Sequence, residues 1–199
     1  VWTPRFGIEY TLNDDVFLYG TISRGFKAGG FQGLAGSAET LSRPFDPEFL
    51  WAYEVGMKAD FADGRLRLNV AAYFNDVSDL QTPIFDPNFP GNAVTENAID
   101  MEYFGLETEL TALVTDNLTL YGMLGLQDED FTRIDPNAIV AASGAERVPG
   151  VAHYNGILGF NYEAPLFGGT VFLQSDFIFR DKLFNSADNN PVSEASELR

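Results

Sequence analysis

The sequence is poor in the residues that catalytic and metal-binding proteins use most. It contains no cysteine and a single histidine, His153, which excludes disulfides and cysteine zinc sites and leaves too few imidazoles for a multi-histidine metal site. Basic residues are also scarce, and the formal charge of −17 repels nucleic acid. No apolar run reaches the roughly eighteen residues that a membrane helix requires, so the sequence predicts no such helix.

What the sequence does contain is alternation. In eight stretches every second residue is apolar, which is the period of a β-strand with one apolar and one polar face. The third stretch is the clearest, with the apolar row Phe49, Trp51, Tyr53, Val55, Met57, Ala59 and Phe61. The second is the weakest, because Val16, Leu18 and Ile22 compete with Phe17 and Tyr19 on the opposite face.

The connections between these stretches alternate between short and long. Short turns are predicted near 13–15, 62–64, 115–117 and 165–169, and long loops near 29–46, 84–98, 129–148 and 185–199. All long loops then emerge at one end of an antiparallel sheet, as in outer-membrane β-barrels. We therefore predict an all-β fold in which residues 1–199 form part of one transmembrane β-barrel domain. Alternation alone leaves open a soluble β-sandwich or lipocalin-like barrel and a self-contained eight-strand barrel.

Several motifs resemble the TonB-dependent outer-membrane receptors. They are the segment Ser23–Phe31, the triplet Asp46-Pro47-Glu48, the segment Tyr53–Lys58, the tract Arg65–Asp79, the step Gly105-Leu106-Glu107 and the pair Val148-Pro149. The resemblance covers nearly the whole chain. It implies a barrel of twenty-two antiparallel strands around an N-terminal plug, located in the outer membrane of a Gram-negative bacterium. It also implies active uptake of a scarce nutrient, with a ferric siderophore as first choice.

This resemblance sets the expected partners. We expect eight strands, arranged as four hairpins, of a larger barrel, with no plug domain in this chain. Val1 is not a natural start, and the last residues, Ser196–Arg199, lack an aromatic-terminated strand, so we expect an internal piece of a longer precursor. The partners would be membrane lipid, the plug, the remaining strands, the TonB energising complex acting through the plug, and the ferric siderophore. No cofactor is expected, since iron would arrive inside its ligand.

Two groups of residues are candidates for function. For ligand binding at the outer mouth we select three cations and four loop aromatics, with ordinary surface charge and loop packing as the alternatives: Arg24, Lys27, Arg43, Phe31, Phe85, Phe89 and Phe131. For contact with the plug, or for ion pairing within the lumen, we select charges on the polar rows: Glu54, Lys58, Arg65, Arg67, Glu107 and Glu109.

Other motifs predict no catalytic or metal-binding residue. The glycines at 25, 29, 30 and 33 lack the Gly-Lys-Ser/Thr ending of a phosphate loop. The acidic run from Asp128 to Asp135 resembles a calcium loop only superficially, because Arg133 and Ile139 occupy its glycine and glutamate positions. His153 is expected at the rim or in the lumen. The competing functions are a small outer-membrane barrel enzyme and a soluble β-protein that binds a hydrophobic ligand.

Overall fold

A computed structural model describes residues 1–33, 38–86, 93–142, 147–148, 150–184 and 194–195. Eight long strands form one antiparallel sheet, in which each pairs with the next long strand along the chain. They are β1 (Arg5–Asn13), β2 (Val16–Lys27), β5 (Glu48–Phe61), β6 (Leu66–Phe85), β7 (Ala93–Thr115), β8 (Leu118–Ile134), β9 (Tyr154–Leu166) and β10 (Gly169–Arg180). Short elements lie in the connections: β3 (Gly30–Phe31), α1 (Ala38–Leu41), β4 (Pro44–Phe45), α2 (Ile139–Ala142), β11 (Leu183–Phe184) and β12 (Glu194–Ala195). Among these residues, no helix has the length and apolarity to cross a bilayer.

The two ends of the sheet differ in their connections. At the short-turn end, where β1, β5, β7 and β9 finish, tight turns lead directly into the next strand. The turn after β5 uses three consecutive positive φ angles, 54° at Ala62, 57° at Asp63 and 79° at Gly64. The turn after β9 places Phe167 and Gly168 at φ 50° and 80°, which is the left-handed geometry of a two-residue hairpin turn. The opposite end of the sheet is the long-loop end.

The register divides the side chains into an apolar face and a polar face. Phe6 lies opposite Ile22, and Ile22 lies opposite Tyr53, so the apolar rows of β1, β2 and β5 share one face. This pairing settles the ambiguous second stretch. Its residues Val16, Leu18 and Ile22 lie on the apolar face, whereas Phe17 and Tyr19 lie on the polar face.

The apolar face is exposed. Ile8 is 73% accessible and Phe6 63%, and other apolar-face residues above one-third accessibility include Tyr10, Val55, Phe74, Phe104, Leu110 and Leu158. A soluble sandwich would bury these rows against a second layer. Their exposure instead fits hydrocarbon contact, and the soluble alternative is not supported.

The apolar rows have the length of a membrane-spanning strand. In β6 the row runs over nine residues from Leu66 to Phe74, and about nine to eleven tilted residues cross the hydrocarbon core. At the end of this row nearest the long loops, Phe74 lies directly opposite Tyr53 of β5 and Phe104 of β7. The next residues of the face are the acids Asp76, Glu102 and Asp130, again directly opposed. The aromatic row therefore marks the membrane boundary at the long-loop end.

Three strands continue past this boundary. We expected loops near 84–98 and 129–148, but β6 ends only at Phe85, β7 begins at Ala93 and β8 ends at Ile134. These segments, Asp76–Phe85, Ala93–Glu102 and Gln127–Ile134, form what we call the strand extension. It carries a small buried core on the polar face: Val77, Ile84, Val94, Ala98, Ile99, Met101 and, from the following loop, Ala138. Burial of these side chains stabilises strands where the sequence shows mostly polar loop residues.

The sheet stays open. β1 and β10 are its two edges and pair with β2 and β9 on one side only, as far as the described residues show. The alternative of a self-contained eight-strand barrel is therefore wrong, because such a barrel pairs its first strand with its last. In hydrocarbon the free edge groups need further strands as partners.

Candidate functional site

Tyrosines on the polar face cover glycines of the next strand. Tyr19 lies opposite Gly56, Tyr73 opposite Gly105 and Tyr121 opposite Gly159. A β-carbon at any of these glycines would overlap the tyrosine ring, so only glycine admits the flat ring. Tyr73 donates its hydroxyl hydrogen bond to Gln127, 3.1 Å away and two strands along. Each ring thus ties strands together while its hydroxyl keeps the face polar.

The six charges predicted for the lumen fall into two sets. Glu54, Lys58, Arg67, Glu107 and Glu109 lie on the polar face, where Arg67 forms a 2.8 Å ion pair with Asp60 and Asn69 donates to Glu109 at 3.0 Å. Arg65 belongs to the short turn and pairs with Asp116 of the neighbouring turn at 3.1 Å.

The ion pair between Asp100 and Arg133, which we call the charged node, fixes the bend of β6 in the strand extension. The register of β6 and β7 shifts between Val77 and Leu80, and Asp79 has a φ of 59°. The Asp79 amide donates to the Asp100 carboxylate at 2.8 Å. Arg133 donates to the same carboxylate through Nε and Nη2 at 2.6 and 2.7 Å. The hydrogen bond from Arg133 lowers the pKa of Asp100 below its ordinary value. The Asp79 amide at this bulge therefore has an ionised carboxylate as its hydrogen-bond acceptor.

Amide side chains attach the long connection between β2 and β5 to the extension. Gln81 donates to the carbonyls of Ala28 and Asp46 at 2.9 and 3.1 Å. Asn97 donates to the same Asp46 carbonyl at 2.8 Å and accepts from the Asp46 amide at 2.7 Å. These bonds satisfy loop backbone groups that have no ladder partner. The loop is therefore held to a defined position beside β6 and β7.

A pocket of about 610 Å³ opens beneath this loop at the long-loop end. Most of its lining comes from the polar face. Its polar groups are Lys27, Glu48, Tyr103, Gln127 and Glu129, and its apolar groups include Leu50, Val77, Leu80, Met101, Val148 and Val151. Lys27 pairs with Glu48 at 3.4 Å and remains 60% exposed. The pocket can therefore offer one ammonium group and several hydrogen-bonding groups against an aliphatic wall, which is the usual composition of a small-molecule site.

Comparison with known proteins decides the family. The model of the TonB dependent receptor-like β-barrel matches residues 1–195. The chain belongs to this family. Members are outer-membrane proteins of Gram-negative bacteria, so the apolar face contacts lipid and the polar face lines the barrel interior. The predicted fold, family and location are confirmed.

Two proteins that are similar to this chain in sequence agree with the assignment to this receptor family. The metal-pseudopaline receptor of Pseudomonas aeruginosa is 32% identical over 131 residues, which cover 66% of this chain and 17% of that protein. The ferric-pyoverdine 358 receptor of Pseudomonas putida is 28% identical over 143 residues, 68% of this chain and 16% of that protein. The chain thus spans about one sixth of these relatives.

Solved structures of other receptors contain the same arrangement of strands, which we call the barrel wall. The ferric yersiniabactin uptake receptor of Yersinia pestis superimposes with a TM-score of 0.74 at 19% identity, covering 98% of this chain and 28% of that one. The ferric preacinetobactin receptor of Acinetobacter baumannii gives a TM-score of 0.72 at 16% identity with the same coverage. At this identity the likeness establishes the fold of the barrel wall.

The receptor wall does not gather the three predicted ligand-binding cations into one patch. Lys27 lies on the polar face and borders the pocket. Arg24 lies on the apolar face, with its guanidinium 4.2 Å from the centre of the Phe49 ring. Arg43 lies in the loop and is paired with Glu96. Alternation along β2 separates Arg24 from Lys27, and a role in ligand binding stays a prediction for all three.

The predicted aromatics are also dispersed. Phe31, in β3, is 67% exposed, and Phe85, at the end of β6, is 47% exposed, so both rings are free to meet a ligand. Phe131 packs against the buried core of the strand extension, which favours the packing alternative at this position. Phe89 lies outside the described residues.

The pocket residues Tyr103, Gln127 and Glu129 were missed from the sequence. Their signal was present in the odd positions of the fifth and sixth stretches, which continue the polar face of β7 and β8. The loop predicted near 129–148 begins at Glu129, so the sequence prediction ends the polar row of the sixth stretch before that residue. His153 was expected at the rim or in the lumen, and its side-chain Nε2 lies 3.2 Å from Oε2 of Glu129.

Proposed function

We propose that the protein imports a metal chelate, with a ferric siderophore as first choice, across the outer membrane by TonB-dependent active transport. In this proposal the chain contributes eight strands of the wall and the loops at the long-loop end. A plug and further strands complete the barrel, and the TonB complex acts through the plug. Family membership supports the proposal, and so do the names of two relatives, a metal-pseudopaline receptor and a ferric-pyoverdine receptor.

The pocket at the long-loop end is the observation in this chain that carries the proposal. Its volume of about 610 Å³ lies within the roughly 300–1,000 Å³ of ordinary small-molecule sites. It is placed where a ligand arriving from outside first meets the barrel interior. Aliphatic walls can cover the organic backbone of a chelator, while Lys27 and Gln127 can bind its oxygen atoms.

Exposed residues around the pocket complete the proposed ligand surface. Phe31 lies in the loop that Gln81 and Asn97 attach to the strand extension, so its ring is presented from a fixed backbone. Phe85 ends β6 at the same end of the sheet. Planar rings at these positions suit the aromatic or amide groups of a siderophore. Lys27 supplies a positive charge in a chain that is otherwise acidic.

Uptake by the full-length receptor tests this function. A strain deleted for its gene would be supplied with ⁵⁵Fe bound to a catecholate, a hydroxamate or a mixed-ligand siderophore. We expect uptake of at least one chelate to depend on the gene and to stop when a protonophore removes the energy source of the TonB complex. Absence of gene-dependent uptake for all classes, or uptake that persists with the protonophore, would contradict the proposal.

The Lys27→Gln variant tests the role of the pocket. We expect weaker binding of the transported chelate, by about three- to tenfold, because a charged hydrogen bond is lost. Lys182→Gln, which removes a positive charge at the same end but outside the pocket lining, is the matched control. Equal loss of affinity in both variants would point to general electrostatics instead of contact in the pocket.

A further inference from the structure

The ladder between β8 and β9 ends where a histidine and two acids meet. Leu126 and Tyr154 are its last paired residues, and one position further the Gln127 amide donates to the His153 carbonyl at 2.8 Å. Glu129 follows two residues along β8 on the same face. Diagonal neighbours of this kind bring long side chains into contact, and His153 Nε2 lies 3.2 Å from Glu129 Oε2.

The Glu129 carboxylate is buried and only half satisfied. Its side chain is 2% accessible. Oε1 accepts a hydrogen bond from the Val148 amide at 3.3 Å, whereas Oε2 has no hydrogen-bond donor among the described residues. The His153 contact has ion-pair distance but not hydrogen-bond geometry. A buried carboxylate oxygen without a hydrogen-bond donor raises the free energy of the folded state. A cation bound to Oε2 of Glu129 would remove this cost.

Asp128 brings a third ligand atom to the same place. One donor atom each from Asp128, Glu129 and His153 lies within 4.8 Å of the other two. Atoms bound to one metal ion at about 2.0–2.2 Å are about 3–3.5 Å apart, a separation that His153 and Glu129 already have. Asp128 is exposed, so rotation of its side chain can close the remaining gap.

We propose that Glu129, His153 and Asp128 bind a divalent first-row transition-metal ion, for which Zn²⁺ is the probe. An imidazole with two carboxylates suits such ions, whereas Ca²⁺ and Mg²⁺ favour oxygen ligands throughout. The bound ion joins β8 to the segment that precedes β9. Glu129 also lines the pocket, so the ion would be bound beside the ligand space. The proposal does not depend on which chelate the receptor transports.

Titration of the purified, chelator-treated full-length receptor with Zn²⁺ tests this site. We expect the wild type to bind one ion more than the double variant Glu129→Gln/His153→Gln, as counted by calorimetry. Each single variant should weaken binding at this site by about tenfold or more, and Asp128→Asn by less, because its carboxylate must first rotate. Asp130→Asn, an exposed acid two residues further along β8, is the matched control and should bind as the wild type does.

Cobalt absorption supplies a second readout that a general loss of folding does not mimic. With Co²⁺ in the site, His153→Gln should change the visible d–d bands because a nitrogen ligand is replaced, whereas Asp130→Asn should leave them unchanged. His153 is 36% exposed, so its replacement by glutamine is compatible with folding. Equal ion counts in the wild type and the double variant would overturn the proposal, and so would unchanged cobalt spectra in His153→Gln.

Discussion

The membrane wall and the strand extension use the same strands but are stabilised in different ways. The wall, typified by Leu66–Phe74, exposes one face to lipid and the other to the barrel interior, so its stability comes from ladder hydrogen bonds and cross-strand pairs. The extension stands in water beyond the aromatic row and has a small buried core on one face and ion pairs on the other. Solvent on each face, more than strand propensity, therefore determines which residues stabilise each region.

A charge on the apolar face of the wall should have the largest effect. Val70 lies midway along the apolar row of β6, and Val70→Arg places a cation near the centre of the bilayer, at a cost of about 2–4 kcal/mol in folding free energy. Unfolding of the full-length receptor in lipid vesicles would measure this cost. The neighbouring variant Asn69→Arg, on the polar face opposite Glu109, should cost little, and equal costs for both variants would erase the distinction between the faces.

Loss of a tyrosine–glycine contact should come next. In Gly105→Ala the new methyl group overlaps the Tyr73 ring and lies 2.8 Å from the Leu126 carbonyl oxygen, so the neighbouring backbone must shift. We expect about 1–3 kcal/mol of destabilisation from this overpacking, measured as a lower midpoint of unfolding. Gly7→Ala, whose methyl group would be 3.7 Å from the Thr21 side chain, is the control and should stay near the wild type.

Breaking the charged node should act on the extension alone. Arg133→Gln removes both bonds to Asp100 and should raise hydrogen exchange around Asp79, by up to about 1 kcal/mol in local opening free energy because the pair is partly exposed. Exchange of peptides from the wall should not change. Faster exchange in the wall would show that the two regions unfold together.

The same node predicts a pH dependence. The pKa of Asp100 is lowered in the folded protein, so its stabilisation is fully present above the ordinary carboxyl value of 3.8 and is lost as the pH falls through the depressed folded value. Exchange around Asp79, corrected for intrinsic rates, should therefore begin to rise only below about pH 4. In Asp100→Asn this acid-dependent step should be missing.

Relief of turn strain should have the smallest effect. Phe167 is fully exposed with a φ of 50°, and asparagine tolerates this left-handed geometry better than phenylalanine. Phe167→Asn should raise the unfolding midpoint by an amount equivalent to a few tenths of a kcal/mol up to about 1 kcal/mol. A lower midpoint would indicate that the Phe167 ring has a contact in the assembled receptor.

The strands of the wall could be predicted from the sequence, whereas those of the strand extension could not. One-sided lipid contact imposes strict alternation, so the rows of β5 and β6 identify both strands and their shared face. In the extension the bulges at Asp79 and near Thr132 shift the register, and residues such as Asn97 and Gln81 serve as loop anchors. The partners that position Glu129 and His153 come from pairing between β8 and β9, which neither segment reveals alone.

Spin labels along β6 test most directly that lipid touches only the apolar face. Single cysteines can be introduced at each position from Arg67 to Phe74 of the full-length receptor, after replacement of any cysteine outside these 199 residues, which contain none, and labelled with a nitroxide. We predict that labels at the even positions are relaxed mainly by oxygen dissolved in the bilayer, and labels at the odd positions mainly by a water-soluble nickel complex. A uniform response along the strand, or alternation of the opposite sense, would contradict the account.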